Sequence, residues 1–170
     1  FNRTESKAKK WSQEFNGSYA LTPLEASKNA DIIFTCVGND DDVRQVILGP
    51  DGVIHGLKND AIVVDHTTAS SVLAEELDNH ISDAGGSFID APLSGGQAGA
   101  ESGQLTIMVG GEEAIFTKVS PVMNNYAKAC TLIGGVGSGQ KAKMVNQICI
   151  AGLVQGLAEG LHFAKREKLD

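Results

Sequence analysis

Two segments of this 170-residue chain carry side chains whose types and spacing could do chemistry. The first is Asp90-Ala-Pro-Leu-Ser-Gly-Gly-Gln97, a glycine-rich turn that follows an apolar run. Glycines let a backbone approach a ligand closely, and successive N–H groups form a nest for a carboxylate or phosphate, here with the Ser94 hydroxyl beside them. The second is Gly137-Ser-Gly-Gln-Lys-Ala-Lys-Met-Val-Asn146, a glycine loop running into a helical pattern that carries two lysines and an asparagine. A lysine on an otherwise apolar helix is partly desolvated, and desolvation moves an amine toward the working range of a general acid or base. Asn146 follows Lys143 by three residues and shares its helix face. An anion seat, a proton-transfer amine and an orienting amide suit proton transfer on a small hydroxy acid. The plainer alternatives are a tight turn at Ser94-Gly95-Gly96 and a solvated helix start at Lys141 and Lys143.

Other signals are weaker. Leu93-Ser-Gly-Gly-Gln97 also spells the signature of ABC-type ATPases, but a Walker A loop should precede it with Gly directly before Lys. Here the only comparable glycine loop comes later, and Gln140 precedes Lys141. Asn2-Arg3-Thr4 sits where a second Rossmann strand would end, and an arginine there suits the extra phosphate of NADP. Asp65-His-Thr-Thr68 ends an apolar run, and ligands gather at strand C-termini in parallel sheets. A helix-capping role for Thr67 or Thr68 is the competing explanation.

The elements that must position these groups follow from periodicity. Helices are expected from Ser6 to Phe15, with Ala8, Trp11 and Phe15 at helical spacing, and after Thr22-Pro-Leu-Glu25, where threonine caps and proline opens a short helix to Asn29. Further helices are expected over Asp40–Leu48, over Ser70–Ala84 with Val72, Leu73, Leu77 and Ile81 on one face, and over Glu112–Asn124 with Phe116, Val119 and Met123 inward. Strands are expected at Asp31–Val37, Ala61–Asp65, Ser87–Asp90, Leu105–Val109 and Ala129–Ile133, the first two buried on both faces. This alternation predicts an α/β fold with a mostly parallel sheet covered on both sides. From about Gln140 to Lys165 the chain reads as one long helix, apolar almost all round, that must be covered by other protein. The predicted division is a unit over 1–139 and, over 140–170, the start of a helix leading to a further helical domain.

Composition narrows the function classes. A net charge of −7 and a hydrophobic content of 42% describe a globular chain whose surface repels phosphate backbones, so a nucleic-acid partner is not expected. The longest apolar run, Ile148–Val154, is too short to span a bilayer, and no secretory signal pattern opens the sequence, so no membrane partner is expected. Cys36, Cys130 and Cys149 are far apart and odd in number, which reads as reduced thiols in a cytoplasmic protein. Neither they nor the four histidines have metal-ligand spacing, and no metal is expected.

Taken together, these motifs resemble the β-hydroxyacid dehydrogenases, which include 3-hydroxyisobutyrate dehydrogenase and tartronate semialdehyde reductase. The resemblance covers essentially the whole chain. It is strongest from Asp90 through Gly96 and on through Gly99-Ala-Glu-Ser-Gly-Gln-Leu-Thr-Ile-Met-Val-Gly-Gly111, and it includes Asp65-His-Thr-Thr68 and Gly137-x-Gly-Gln-x-x-Lys-x-x-Asn-Gln147. It implies a Rossmann-like doubly wound fold followed by a long interdomain helix, and hydride transfer between NADP, or NAD, and a small 3-hydroxy acid or its semialdehyde. It also implies Lys143, not Lys141, as the catalytic residue. Ser94, Gly95, Gly96, Asn146 and Gln147 would hold the substrate. Asn2, Arg3, Thr4, Val37, Gly38, Asp42 and Thr68 would line the cofactor, with Gly38 departing from the usual proline. In that family a first strand with its Gly-x-Gly-x-x-Gly turn should precede Phe1, and a C-terminal helical domain should follow Asp170. The chain alone is then expected to be inactive and the full-length protein to form a homo-oligomer. The rival readings are an imine reductase, a 6-phosphogluconate-dehydrogenase-like enzyme, or a non-catalytic Rossmann-like binding module.

Overall fold

Three short apolar runs, two of them ending in aspartate, build the parallel half of the sheet in the computed structural model, which describes residues 1–169. Ile32–Thr35 (β1), Ile62–Asp65 (β2) and Ser87–Asp90 (β3) lie side by side in parallel, with Thr35 opposite Asp65 and Asp65 opposite Asp90. The strand pleat sends alternate residues of β2 into two layers. Val63 enters one core cluster with Val43, Leu73 and Leu77, while Ile62 and Val64 enter another with Ile107 and Val119. The first layer is covered by α3 (Asp40–Leu48) and α4 (Ser71–Asp83), and the second by α6 (Glu113–Met123).

Past β3 the direction of the sheet reverses. A two-residue strand, Leu93–Ser94 (β4), and Leu105–Gly110 (β5) pair antiparallel, and β5 then pairs in parallel with Ala127–Gly134 (β6). β3 and β4 form a broken rail along one side of β5, since Asp90 also pairs with Gly110. The glycine turn follows directly on β4 and is more ordered than its sequence implies. Gly95 (φ 132°) and Gly96 (φ 60°) take conformations that disfavour side chains, and a six-residue helix, α5 (Gly96–Glu101), starts at once.

Several expectations are corrected. β1 is not buried on both faces. It is an edge strand, and Phe34 on it is 40% exposed. Residues 1–4 form no strand; they lie beside the free edge of β1 and share a groove with it. The helix α1 (Glu5–Glu14) buries only Ala8, leaving Trp11 and Phe15 exposed. Thr22 does cap α2 (Pro23–Ser27), accepting from the Glu25 N–H. On α4 the buried stripe is Leu73, Ala74, Leu77 and Ile81, while Val72 faces solvent because it lies off that stripe. On α6, Ile115 enters the core with Val119 and Met123, while Phe116 packs at the margin of the cluster. Neither Thr67 nor Thr68 caps α4; the Ser70 hydroxyl does, accepting from the Leu73 N–H.

The chain ends in α7 (Ser138–Arg166), 29 residues long. Only Gly139, Gln140 and Lys143 on it are buried, all in its first two turns. The apolar residues from Met144 to Phe163 are exposed. By length and composition, with an 18-residue stretch of mean hydropathy 1.2, this helix is long and apolar enough to cross a membrane. Helices that pack inside water-soluble proteins pass the same test.

Candidate active site

All the chemistry-bearing segments meet at the C-terminal ends of β1, β2 and β3. Asp65 ends β2 and is 2% exposed. Its Oδ1 accepts from the Thr35 hydroxyl at 2.8 Å, the Thr67 hydroxyl at 2.7 Å and the Thr67 N–H at 3.1 Å. Thr67 Oγ1 in turn accepts from the Val37 N–H at 3.0 Å. One carboxylate thus fixes the loop after β2 and, through Thr67, the Val37-Gly38 loop after β1. Burial raises the Asp65 carboxyl above its ordinary range, against the pull of the threonine hydrogen bonds.

Asp90 ends β3 and is fully buried. Its two oxygens accept from the N–H groups of Gly137 and Gln140, each at 2.7 Å. The N-cap of α7 is Gly137, in the left-handed conformation and with no side chain to cap the helix. A carboxylate from a neighbouring strand therefore takes over the capping role, where the helix dipole also favours negative charge. Burial raises the Asp90 carboxyl too, with the charge of Asp65 adding a smaller push in the same direction.

This fastening delivers Lys143 to the glycine turn. The Lys143 side chain is buried, and its Nζ donates to the Leu93 carbonyl at 2.6 Å, one residue before Ser94. Ser94 is half-buried at the end of β4, and Gly95 and Gly96 are exposed beyond it. At Gly96 an added Cβ would find no atom within 4 Å, so the turn has open space above it. Asn146 is half-buried one turn past Lys143, whereas Gln147 is exposed. Lys141 points away and pairs with Glu75 at 3.4 Å on the surface.

Two clefts flank these groups. The smaller, of about 300 Å³, is lined by Val37, His66, Thr67, Thr68, Leu93 and Gly96 among others. The larger, of about 780 Å³, runs beside the free edge of β1 and is lined by Asn2, Arg3, Thr4 and Asp42 among others. Cys36, Val37 and Gly38 belong to both and join them. The joined space passes from a polar, partly cationic end, where Arg3 meets Asp42 at 2.9 Å, to the exposed Thr68 and the glycine turn. An elongated ligand with a polar end fits that layout. The carboxylate of Asp42 lies over Gly38, where an added Cβ would come within 2.6 Å of it. The absence of a side chain at Gly38 therefore leaves room for the Asp42 carboxylate in this position.

Four further residues shape this site, and sequence reasoning gave them no role. Asp65 and Asp90 open two of the sequence motifs, but nothing local shows that their carboxylates fasten the loops and the helix. Gln140, 1% exposed, donates from Nε2 to the Thr67 carbonyl at 2.7 Å and accepts at Oε1 from the Ala69 N–H at 3.0 Å. His66 lines the smaller cleft, its Nδ1 2.6 Å from the Ala91 carbonyl and its Nε2 2.8 Å from the Tyr126 hydroxyl. The carbonyl can only accept, so Nδ1 carries the proton and Nε2 accepts from Tyr126. Burial lowers the His66 pKa and keeps the ring neutral, stacked on Phe34 at 5.5 Å.

The chain is similar to known proteins over its length. Residues 1–135 match the family described as the NAD binding domain of 6-phosphogluconate dehydrogenase. An oxidoreductase of Shewanella frigidimarina is 56% identical over 170 residues, covering 100% of this chain and 58% of that protein. The 2-hydroxy-3-oxopropionate reductase of Escherichia coli is 36% identical over 149 residues, covering 88% of this chain and 51% of its own length. The structure of Mycobacterium tuberculosis 3-hydroxyisobutyrate dehydrogenase superposes with a TM-score of 0.89 at 27% identity, covering 99% of this chain and 56% of that one. The chain thus spans a little over half the length of these relatives.

Proposed function

Since the chain belongs to the family described as the NAD binding domain of 6-phosphogluconate dehydrogenase, we propose that it is the nucleotide-binding part of an oxidoreductase acting on a small 3-hydroxy acid or the corresponding semialdehyde. The observation that carries this reading is the buried Lys143 amine, 2.6 Å from the Leu93 carbonyl and directly beside the Ser94-Gly95-Gly96 turn. When bound, NADP, or NAD in its place, supplies the hydride chemistry.

The chain's own residues do the rest. The Ser94 hydroxyl and the Gly95 and Gly96 N–H groups hold the substrate carboxylate, with Asn146 and Gln147 orienting the carbon that reacts. Lys143 gives its proton to the substrate carbonyl oxygen in reduction and takes the hydroxyl proton in oxidation, moving off the Leu93 carbonyl to do so. Thr68, Val37 and Gly38 line the nicotinamide end of the cofactor. Asn2, Arg3, Thr4 and Asp42 line the adenosine end, and the Arg3 guanidinium favours NADP through its extra phosphate. Residues 1–139 make up the nucleotide-binding unit. Residues 140–170 begin a helix whose exposed apolar face packs on a further helical domain in a cytoplasmic homo-oligomer.

The test is NADPH- and NADH-dependent reduction of a panel of short semialdehydes, using the chain extended to the length of its relatives. Cofactor binding followed by nicotinamide fluorescence on both lengths accompanies it. Turnover of 3-carbon and 4-carbon semialdehydes supports the reading. Tight cofactor binding with no turnover of any panel member favours a non-catalytic binding module instead.

A further inference from the structure

Gln140 ties together the two walls between which the candidate reaction takes place. Its carboxamide makes a two-point contact with the loop after β2, donating to the Thr67 carbonyl at 2.7 Å and accepting from the Ala69 N–H at 3.0 Å. Its own backbone N–H is held by Asp90 at 2.7 Å. That loop carries Thr68 into the smaller cleft and, through Thr67 Oγ1, also holds the Val37 N–H. Three residues further along α7, on the adjoining face, Lys143 reaches the Leu93 carbonyl. We propose that Gln140 is a positioning residue: its amide bridge sets the distance and rotation of the Lys143 amine relative to the Thr67–Ala69 wall. This rests on the reading of Lys143 as the proton-transfer group.

The packing leaves the bridge little to compete with. Around the first turn of α7 the backbone is already in contact with the sheet: a Cβ added at Gly139 would come within 2.4 Å of the Met108 carbonyl oxygen and 2.8 Å of the Asp90 carboxylate. The helix start therefore cannot move closer to β5. Rolling about its own axis is the remaining freedom, and the Gln140 amide, 1% exposed and bonded at both ends, opposes it. Loss of the amide would leave the Thr67 carbonyl and the Ala69 N–H without partners, while the Asp90 cap on the helix backbone survives. The expected result is a folded protein with a loosened Lys143.

The test uses this chain as it stands. Lysine acylation is followed residue by residue with peptide mass spectrometry in the wild type, Gln140→Ala and Gln140→Met; methionine keeps the volume and loses both hydrogen bonds. Lys143 should label about tenfold faster in both variants, the response expected when a satisfied buried contact is broken. Exposed Lys141 should keep its rate, and the circular dichroism should be unchanged. In the extended enzyme, Gln140→Met should lower kcat and leave the substrate KM in place. Unchanged Lys143 labelling in a folded Gln140→Met protein overturns the proposal, as does a rise shared equally by every lysine. Because labelling needs no turnover, it separates failure of the bridge from failure of the dehydrogenase reading, which would show instead as full activity in Lys143→Ala.

Discussion

Asp65 and Asp90 stand directly opposite each other at the ends of the parallel strands β2 and β3, both buried, each held by hydroxyl or backbone N–H donors. Burying a carboxylate is tolerable only when its oxygens are bonded. Asp65 bonds to the end of β1 and to the loop after β2, and Asp90 to the start of α7. Two adjacent acids therefore hold the loop after β2 and the start of α7, two walls of the site.

The pH dependence of stability should carry their mark. Both carboxyls lie above the ordinary value of 3.8 because burial disfavours their charged forms. The folded chain then binds these protons more tightly than the unfolded chain does. Their stabilising contribution is complete below 3.8 and is lost as pH rises through the higher folded values. Urea unfolding of the wild type and of Asp65→Asn, compared over that window, should show the wild-type advantage shrinking as pH increases. A constant difference contradicts the assignment.

Replacing Lys143 with Ala in the extended enzyme should lower turnover by about 10²–10⁴-fold, the usual worth of a positioned acid–base group. NADPH affinity should hold, because the amine lies at the glycine turn and not along the larger cleft. Steady-state kinetics with fluorescence titration settle both points, and normal turnover refutes the role.

Arg3→Ala should weaken NADPH binding by about tenfold, in line with loss of a charge-assisted hydrogen bond, and leave NADH binding nearly unchanged. Equal losses for both cofactors would remove Arg3 from phosphate recognition.

Two glycines of α7 should respond in opposite directions to alanine. At Gly139 the new methyl meets the Met108 carbonyl and the Asp90 carboxylate, and overpacking of this kind costs about 1–3 kcal/mol. At Gly156 nothing lies within 4 Å, and alanine in an exposed helix interior gains about 0.5–1 kcal/mol over glycine. Denaturant midpoints report both signs.

Tyr126→Phe removes the hydroxyl that donates to His66 Nε2 and leaves a mostly buried acceptor unpaired, at a cost of about 1–3 kcal/mol. The downfield imidazole signals of His66 should shift in a proton spectrum. A variant as stable as the wild type would show that water replaces the phenol at no cost.

Much of the architecture could be read from periodicity. β2 and β3 announced themselves as short apolar runs, and α3 matched its expected span from Asp40 to Leu48. The placement of Lys143 beside the glycine turn was implied by the family resemblance. What stayed hidden was tertiary. β4 is two residues long and exists only because β5 pairs with it. The Asp90 cap joins residues 47 and 50 positions apart in sequence, and the Gln140 bridge reaches 71 and 73 positions away, beyond the range of any local pattern. Phe34 looked like a residue of a fully buried strand, but whether a strand lies at an edge depends on its neighbours and not on its own composition.

At about 1.5 Å per residue, the 29 residues of α7 extend over roughly 43 Å, and only the first two turns touch the sheet. The helix is a lever pivoted at the carboxylate of Asp90. A tilt of a few degrees at that pivot, too small to break a hydrogen bond, swings the far tip by several ångströms. A load on the tip would, by the same leverage, be felt at the amine of Lys143.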